Sequence, residues 1–264
     1  MQEIIEAKLR EIEEKENVKI IAAIESGSRA WGFASPDSDY DVRFIYVRKV
    51  EDYLKLQTIR DVIEWQLDDS LDINGWDLKK ALLLMKDSNP SIFEWCASPI
   101  VYRESDTFKI LKEIRKEYFS CKKSLYHYWH MAKHNYHDYL QGDKIKAKKY
   151  LYVFRALLSA KWVIDKEEQP PMLFSQLVEE ELPHELREPI AKLLEMKRNL
   201  SEIELINRVQ SLDKFIEGEL ESIKTKADRL PAIQPKWDTL EKLFIEQVLG
   251  QCNNNNDKSN MNLF

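Results

Sequence analysis

The sequence predicts an α+β protein, a small mixed-sheet unit followed by an all-helical unit, and three observations carry that reading. Short β-branched runs occur before Arg103 and then stop. Beyond that point apolar residues recur at helical spacing with few interruptions. Glycine is scarce, 6 in 264 residues, yet Gly27 and Gly32 fall in one stretch between two strand-like runs, IESGSRAWGFASPDSDYDVRFIYV, residues 24–47. Turn chemistry is concentrated there.

Taken in order, residues 1–17 place Ile5, Leu9 and Ile12 at helical spacing with a charged outer face. VKIIAAIE reads as a buried strand bounded by a Ser-Gly turn, and YDVRFIYV as a second strand. QLDDSLDING reads as a weaker third strand ended by Gly75, with Asp77 as N-cap of the helix LKKALLLMK. Asn89-Pro90 opens a short helix through FEWCAS. Residues 106–120, 122–140 and 144–165 read as helices, with Gly142 punctuating the last two. After the Gln169-Pro170-Pro171 break, helices are expected near 174–200, 201–229 and 237–249, then a polar, low-complexity ending, QCNNNNDKSNMNLF. The expected division is 1–103 for the sheet unit, 104–250 for the helical unit and 251–264 for a disordered tail.

Composition bounds the function. A hydrophobic content of 44% with 11% aromatics is that of a folded chain. MQEIIEAKLREIEE has no signal-peptide core and no later apolar run reaches membrane-span length, so the expectation is a soluble cytoplasmic protein with no membrane partner. Cys96, Cys121 and Cys252 are far apart and form no Cys-x-x-Cys pair, which argues for reduced thiols rather than a zinc site or disulfide framework. A net charge of -6 excludes a wholly basic nucleic-acid binder. It leaves room for a local patch: Lys122, Lys123, Lys133, Lys144, Lys146, Lys148, Lys149, Arg155 and Lys161 face only Asp138 and Asp143 in that segment.

The chemistry centres on the opening stretch. A strand running into Gly27-Ser28 offers backbone N–H groups and a hydroxyl, a seat for phosphate, although an isolated Gly-Ser is as readily a plain tight turn. Residues two apart in a strand share a face, so Asp39, Asp41 and Arg43 emerge together. Paired carboxylates repel and need a cation; hard Mg2+ or Mn2+ suits one or two carboxylates plus substrate phosphates. Arg29 and Arg43 are candidate phosphate contacts or partners of nearby aspartates. Lys148, Tyr152 and Arg155 are spaced as one helical stripe that would close over a triphosphate or simply be solvated, and Lys149 points elsewhere on that helix. His127, His130, His134 and His137 form another stripe among Tyr126, Tyr128, Trp129 and Tyr136. Packing is its leading reading, nucleic-acid contact the second and metal the third.

GSRAWG followed by SDYDVR resembles the signature of the DNA polymerase beta-like nucleotidyltransferase superfamily, Gly-Ser, a spacer, then Asp-x-Asp. SGSRAWGFASPDSDYDVRFIYV, NGWDLKKALLLM and NPSIFEWCASPIVY more closely resemble bacterial and phage predicted nucleotidyltransferases, some linked to RNA repair; KKYLYVFRALLSAKWVID resembles their helical region more loosely. The resemblance implies that Gly27 and Ser28 hold a nucleoside triphosphate and that Asp39 and Asp41 ligate metal. It also implies a third carboxylate, for which Asp72 is favoured over Asp77. The activity implied is metal-dependent transfer of a nucleotide from an NTP to an acceptor hydroxyl, with RNA as the favoured acceptor. The alternatives are a protein acceptor, as in antitoxin-type nucleotidyltransferases, and a non-catalytic nucleotide- or RNA-binding module. The intact aspartate pair counts against the last, and no Gly-x4-Gly-Lys-Ser/Thr is present to suggest a P-loop NTPase.

Overall fold

The computed structural model describes all residues except 69, 200–204, 232 and 260–264, with side chains described except at 66–68 and 251–259. The first part of the chain runs α1 (Gln2–Glu16), β1 (Lys19–Glu25), α2 (Gly27–Ala30), β2 (Tyr40–Val47), α3 (Val50–Tyr53), β3 (Val62–Asp68), β4 (Leu71–Asp77), α4 (Leu78–Lys86), α5 (Pro90–Ala97) and β5 (Val101–Glu104). These strands form one mixed sheet in the order β3-β4-β2-β1-β5. The β2–β4 pairing is parallel and the other three are antiparallel. β1 is buried along its length after Lys19, which is why it reads as a continuous apolar run rather than an alternating one.

Alternation along β2 sorts its side chains between two layers. Val42, Phe44 and Tyr46 pack towards Ile5, Leu9 and Ile12 of α1, whereas Ile45 and Val47 pack towards α4 and α5. Each such fully buried side chain stabilises by about 1.5–3 kcal/mol relative to exposure. α1 stops at Asn17, which turns left-handed at φ 51 and donates its N–H to Glu13 O. The Asp77 and Asn89 caps stand as expected, each accepting the backbone N–H two residues on.

The single third strand is corrected to two. β3, over the VIEWQLD run, pairs antiparallel with β4, and Gly75 lies inside β4 rather than ending it. The reason is packing: a Cβ on Gly75 would lie 2.1 Å from Phe44 Cε2, so the strand passes a bulky ring where only glycine fits.

The remainder is α6 (Asp106–Ile114), a 3-10 turn (Arg115–Tyr118), α7 (Cys121–Tyr139), β6 (Lys144–Lys146), α8 (Ala147–Lys166), α9 (Phe174–Glu181), α10 (His184–Asn199), β7 (Leu205–Asn207), α11 (Gln210–Ala227) and α12 (Asp238–Ser259). β6 and β7 form a two-stranded ribbon, so strands do not end at Arg103. The helix expected over 174–200 is two, parted where Pro183 follows α9. The helix expected over 201–229 is shorter: residues 201–204 lie outside the described set, and Leu205–Asn207 is strand. α12 runs through Ser259, into the segment expected as a tail, and 260–264 lie outside the described residues.

Packing divides the chain differently from a break at residue 103. Phe108 and Leu111 of α6, Tyr118, and Leu240, Leu243 and Val248 of α12 join the core beneath the sheet. A separate core collects α7 to α11, and Phe33 from the loop after α2 inserts into it. The Gly-Ser turn is thereby pinned between both cores. Among the described residues no helix is long and apolar enough to cross a membrane.

Candidate active site at the Gly-Ser turn

β1 ends at Glu25 and the chain turns at Gly27, whose φ of +59 is left-handed. A Cβ at Gly27 would lie 1.9 Å from Asp41 Oδ2, so the backbone of the turn passes directly against that carboxylate. Ser26 N donates to Asp41 O at 2.8 Å, fixing the turn onto the start of β2. Ser28 is buried within the turn, and Asp39 is exposed just before β2.

Parallel pairing of β2 with β4 places Asp41 opposite Asp72 and Arg43 opposite Asn74. Arg43 Nη2 lies 3.0 Å from Asp41 Oδ1 and 2.8 Å from Asp72 Oδ2, while its Nη1 donates to Asp72 O at 3.1 Å. One guanidinium therefore joins the two carboxylates. Burial pushes the Asp41 carboxyl above the usual aspartate range; Arg43 opposes this, and Asp72 and Asp39 add to it. All three acids thus bear on one spot.

The fit of a divalent cation can be judged from this geometry. Asp39, Asp41 and Asp72 offer only oxygen donors, the chemistry that Mg2+ and Mn2+ prefer. Asp41 already recruits positive charge, from Arg43. Among the described residues no three His, Cys, Asp or Glu side chains gather closely enough to hold a metal by themselves.

Asp77 is separated from this group. It lies at the far end of β4, caps α4 by accepting from Lys79 N at 2.8 Å and accepts from Tyr53 Oη at 2.9 Å. Burial raises its pKa, and Lys79 N and Tyr53 oppose that rise. It is a buried cap.

The remaining candidates divide. Arg29 Nη2 donates to Ser38 O at 2.6 Å and Nε to Asp39 O at 3.1 Å, and its guanidinium sits 3.6 Å from the Tyr40 ring centroid. It holds the loop that presents Asp39. Arg155 does not extend the Lys148–Tyr152 stripe into solvent: it is buried, pairs with Glu94 at 3.0 Å and stacks 4.2 Å from the Trp31 ring. Tyr128 Oη donates to the same Glu94 oxygen. α8 is covered on nearly all sides, so its helical face does not mark an exposed side. Tyr152 packs edge-on to Trp31, with centroids 5.7 Å apart. Lys149 sits 3.3 Å from the Tyr139 ring, and Lys148 acts electrostatically on Asp37 in the loop before Asp39.

The histidine stripe splits as packing demands. Tyr128, Trp129 and Tyr136 are buried, and Trp129 Nε1 donates to Leu220 O at 2.7 Å. His130, His134 and His137 are exposed, with His134 paired to Asp138 at 3.1 Å.

Sequence reasoning missed Glu25. Its side chain is 0% exposed, Oε1 accepts from Asp41 N at 2.8 Å and Oε2 accepts from Tyr102 Oη at 2.5 Å. Burial raises its pKa, while Tyr102 and the Asp41 N–H lower it. The available signal was an acidic residue closing an otherwise apolar strand immediately before a Gly-Ser turn.

The protein is similar to several known ones. Residues 1–246 match the model of the RNA repair pathway DNA polymerase beta family. Bacillus subtilis (strain 168) has a relative, "Uncharacterized protein YcgL", 47% identical over 251 residues, spanning 94% of this chain and 96% of that one. A nucleotidyltransferase-like protein from Exiguobacterium sibiricum 255-15 aligns over 85% of this chain and 74% of its own, at 16% identity and a TM-score of 0.31. With almost its whole length matched, this chain belongs to the RNA repair pathway DNA polymerase beta family.

Proposed function

We propose that the protein transfers a nucleotide from a nucleoside triphosphate to an acceptor hydroxyl, with an RNA end as the acceptor. The observation that carries this is the Gly27 turn set against Asp41, with Asp72 delivered beside it by strand pairing and Arg43 spanning both acids. In this reading the backbone at Gly27 and the Ser28 hydroxyl hold the triphosphate, and Arg43 exchanges a carboxylate for a phosphate oxygen. Asp39, Asp41 and Asp72 would hold divalent ions, which supply charge neutralisation at the phosphates when bound.

The acceptor oxygen forms a bond to the α-phosphorus as the α–β phosphoanhydride bond breaks, and pyrophosphate leaves. The acceptor proton passes to a carboxylate, for which Asp72 is the candidate because its side chain is 55% exposed and therefore accessible. Lys148 and Lys149 are proposed to contact the triphosphate from the helical side. Arg155 serves indirectly, by fixing Trp31 at the end of the turn.

Thermal unfolding with each NTP, with and without Mg2+ or Mn2+, tests the reading in wild type and in Asp41→Asn. Ligand at a hundred times its dissociation constant adds about 2.7 kcal/mol. A metal-dependent rise lost in the variant is expected, followed by transfer of labelled nucleotide to an RNA 3′ hydroxyl. No rise with any NTP refutes the nucleotide site; a rise with transfer to protein but never to RNA refutes the acceptor.

A further inference from the structure

Lys144, Lys146, Lys148 and Lys149 lie close together at the junction of β6 and α8. β6 alternates exposed, buried, exposed, so Ile145 anchors the ribbon while Lys144 and Lys146 point outward on one face. Their ribbon partners are Asn207 and Leu205, so no described residue of the ribbon places a carboxylate across from them. The chain passes directly from β6 into α8, bringing Lys148 and Lys149 into the same neighbourhood. Both Lys146 and Lys148 depress the pKa of Lys149, although burial contributes more, so the ammonium groups are close enough to repel. Clustered positive charge in a protein of net charge -6 makes a local surface to which a polyanion is attracted.

Two more features give the patch its character. Tyr139 is 41% exposed and Lys149 stacks on its ring, so an aromatic face lies among the cations, as suits a base stacked beside a bound phosphate. The patch also leads to the candidate active site: Lys149 lies 5.9 Å from the Tyr152 ring centroid, and Tyr152 packs edge-on against Trp31, which ends the Gly-Ser turn. Among the described residues, the acids nearby include Asp143, beside Lys144 in sequence; Asp37, which is bonded to Ser35; and Asp138, paired with His134.

We infer that the outer face of the β6–β7 ribbon, with Lys144 and Lys146, together with Tyr139, is the track on which a single-stranded RNA acceptor lays its backbone before its end passes the first turn of α8 and reaches Asp39 and Asp41. The inference rests on the nucleotidyl-transfer reading for its direction, but RNA binding at the ribbon is measurable without it. A pure triphosphate site would not need lysines on the ribbon. A single-stranded backbone needs several phosphate contacts in a row.

The test uses the full chain and a short fluorescein-labelled single-stranded RNA, titrated by fluorescence anisotropy at several salt concentrations. In Lys144→Gln/Lys146→Gln the affinity is expected to fall roughly tenfold or more and the log–log salt slope to shrink by about 1.4, since each phosphate contact on a single strand contributes about 0.7. Lys122→Gln/Lys123→Gln, at the opposite end of α7, should leave both quantities unchanged. The metal-dependent NTP stabilisation is measured on the same variants. Its retention in the ribbon variant, together with weakened RNA binding, supports an acceptor track distinct from the triphosphate site. Unchanged RNA affinity and slope in the ribbon variant overturn the inference, whether or not NTP binds. So does a ribbon-dependent affinity for polyglutamate when the wild type binds no RNA, because the surface would then serve an acidic protein. Absence of NTP stabilisation alongside ribbon-dependent RNA binding sinks the transfer reading and leaves the track standing.

Discussion

Replacing Gly27 with alanine tests the centre of the site by adding one methyl group. At φ +59 a side chain costs roughly 1–2 kcal/mol of backbone strain. The new Cβ would meet Asp41 Oδ2 at 1.9 Å and Cγ at 2.8 Å, so the carboxylate must rotate away. Rotation separates Asp41 from Arg43, a contact 19% and 29% exposed on its two sides, worth at most about 1 kcal/mol after screening. The sum is about 1–3 kcal/mol. At roughly 2–4 °C per kcal/mol for a chain near this size, Tm should fall by roughly 2–12 °C.

Function should suffer more than stability, because the displaced atom is the carboxylate that the turn presents. Differential scanning fluorimetry with and without Mg2+ and NTP reads both effects: a lowered Tm for Gly27→Ala and loss of the nucleotide-dependent rise. Gly218→Ala supplies the contrast, since nothing lies within 4 Å of its Cβ inside α11 and helix propensity favours alanine by up to about 1 kcal/mol. A Gly27→Ala protein that melts within about 1 °C of wild type and keeps its nucleotide response would refute the close-approach argument.

Asp72→Asn should cost under about 1 kcal/mol, because its ion pair is half exposed, yet remove the NTP response. Asp77→Asn should keep both stability and response, since asparagine caps as well as aspartate, whereas Asp77→Ala should lose about 1 kcal/mol and still respond; loss of response in Asp77→Asn would reverse the assignment of the third carboxylate. Arg155→Met breaks a buried pair, and urea unfolding should show a loss of roughly 3–5 kcal/mol that Glu94→Gln partly restores in the double variant; a loss below about 1 kcal/mol would show that the pair is not anchoring the units. Glu25 has a pKa raised above its ordinary 4.5, so the folded state keeps the proton longer than the unfolded chain. Its stabilisation is full below that value and is lost as pH rises through the raised pKa. Calorimetry should therefore find Glu25→Gln gaining on wild type as pH rises above 4.5; a constant difference contradicts the sign.

What could be read from the sequence was local, and what could not was set by distant partners. YDVRFIYV corresponds to β2 residue for residue, and both polar N-caps fell where expected, because alternation and capping are decided within a few residues. That Asp41 and Arg43 share a face follows from strand geometry alone, whereas Asp39, expected on the same face, lies in the loop before β2. That Arg43 reaches Asp72 depends on the parallel register of β2 with β4, which no local pattern specifies. Gly75 read as a strand end because glycine usually weakens a strand; Phe44 from a neighbouring strand reverses that reading. The same limit explains Arg155 and Glu25. A charged residue on a helix is taken to face water, but α8 runs through the helical core, where Glu94 pairs with the guanidinium, Trp31 stacks on it and Tyr128 bonds the same Glu94 oxygen. Glu25 closes the run VKIIAAIE, and its cover comes from Tyr102 on β5, which no local pattern announces. Both are charges buried by partners far along the chain, and both adjoin the Gly-Ser turn: Glu25 through the backbone of Asp41, Arg155 through Trp31. The turn itself is legible locally, and the supports that hold it in place are not.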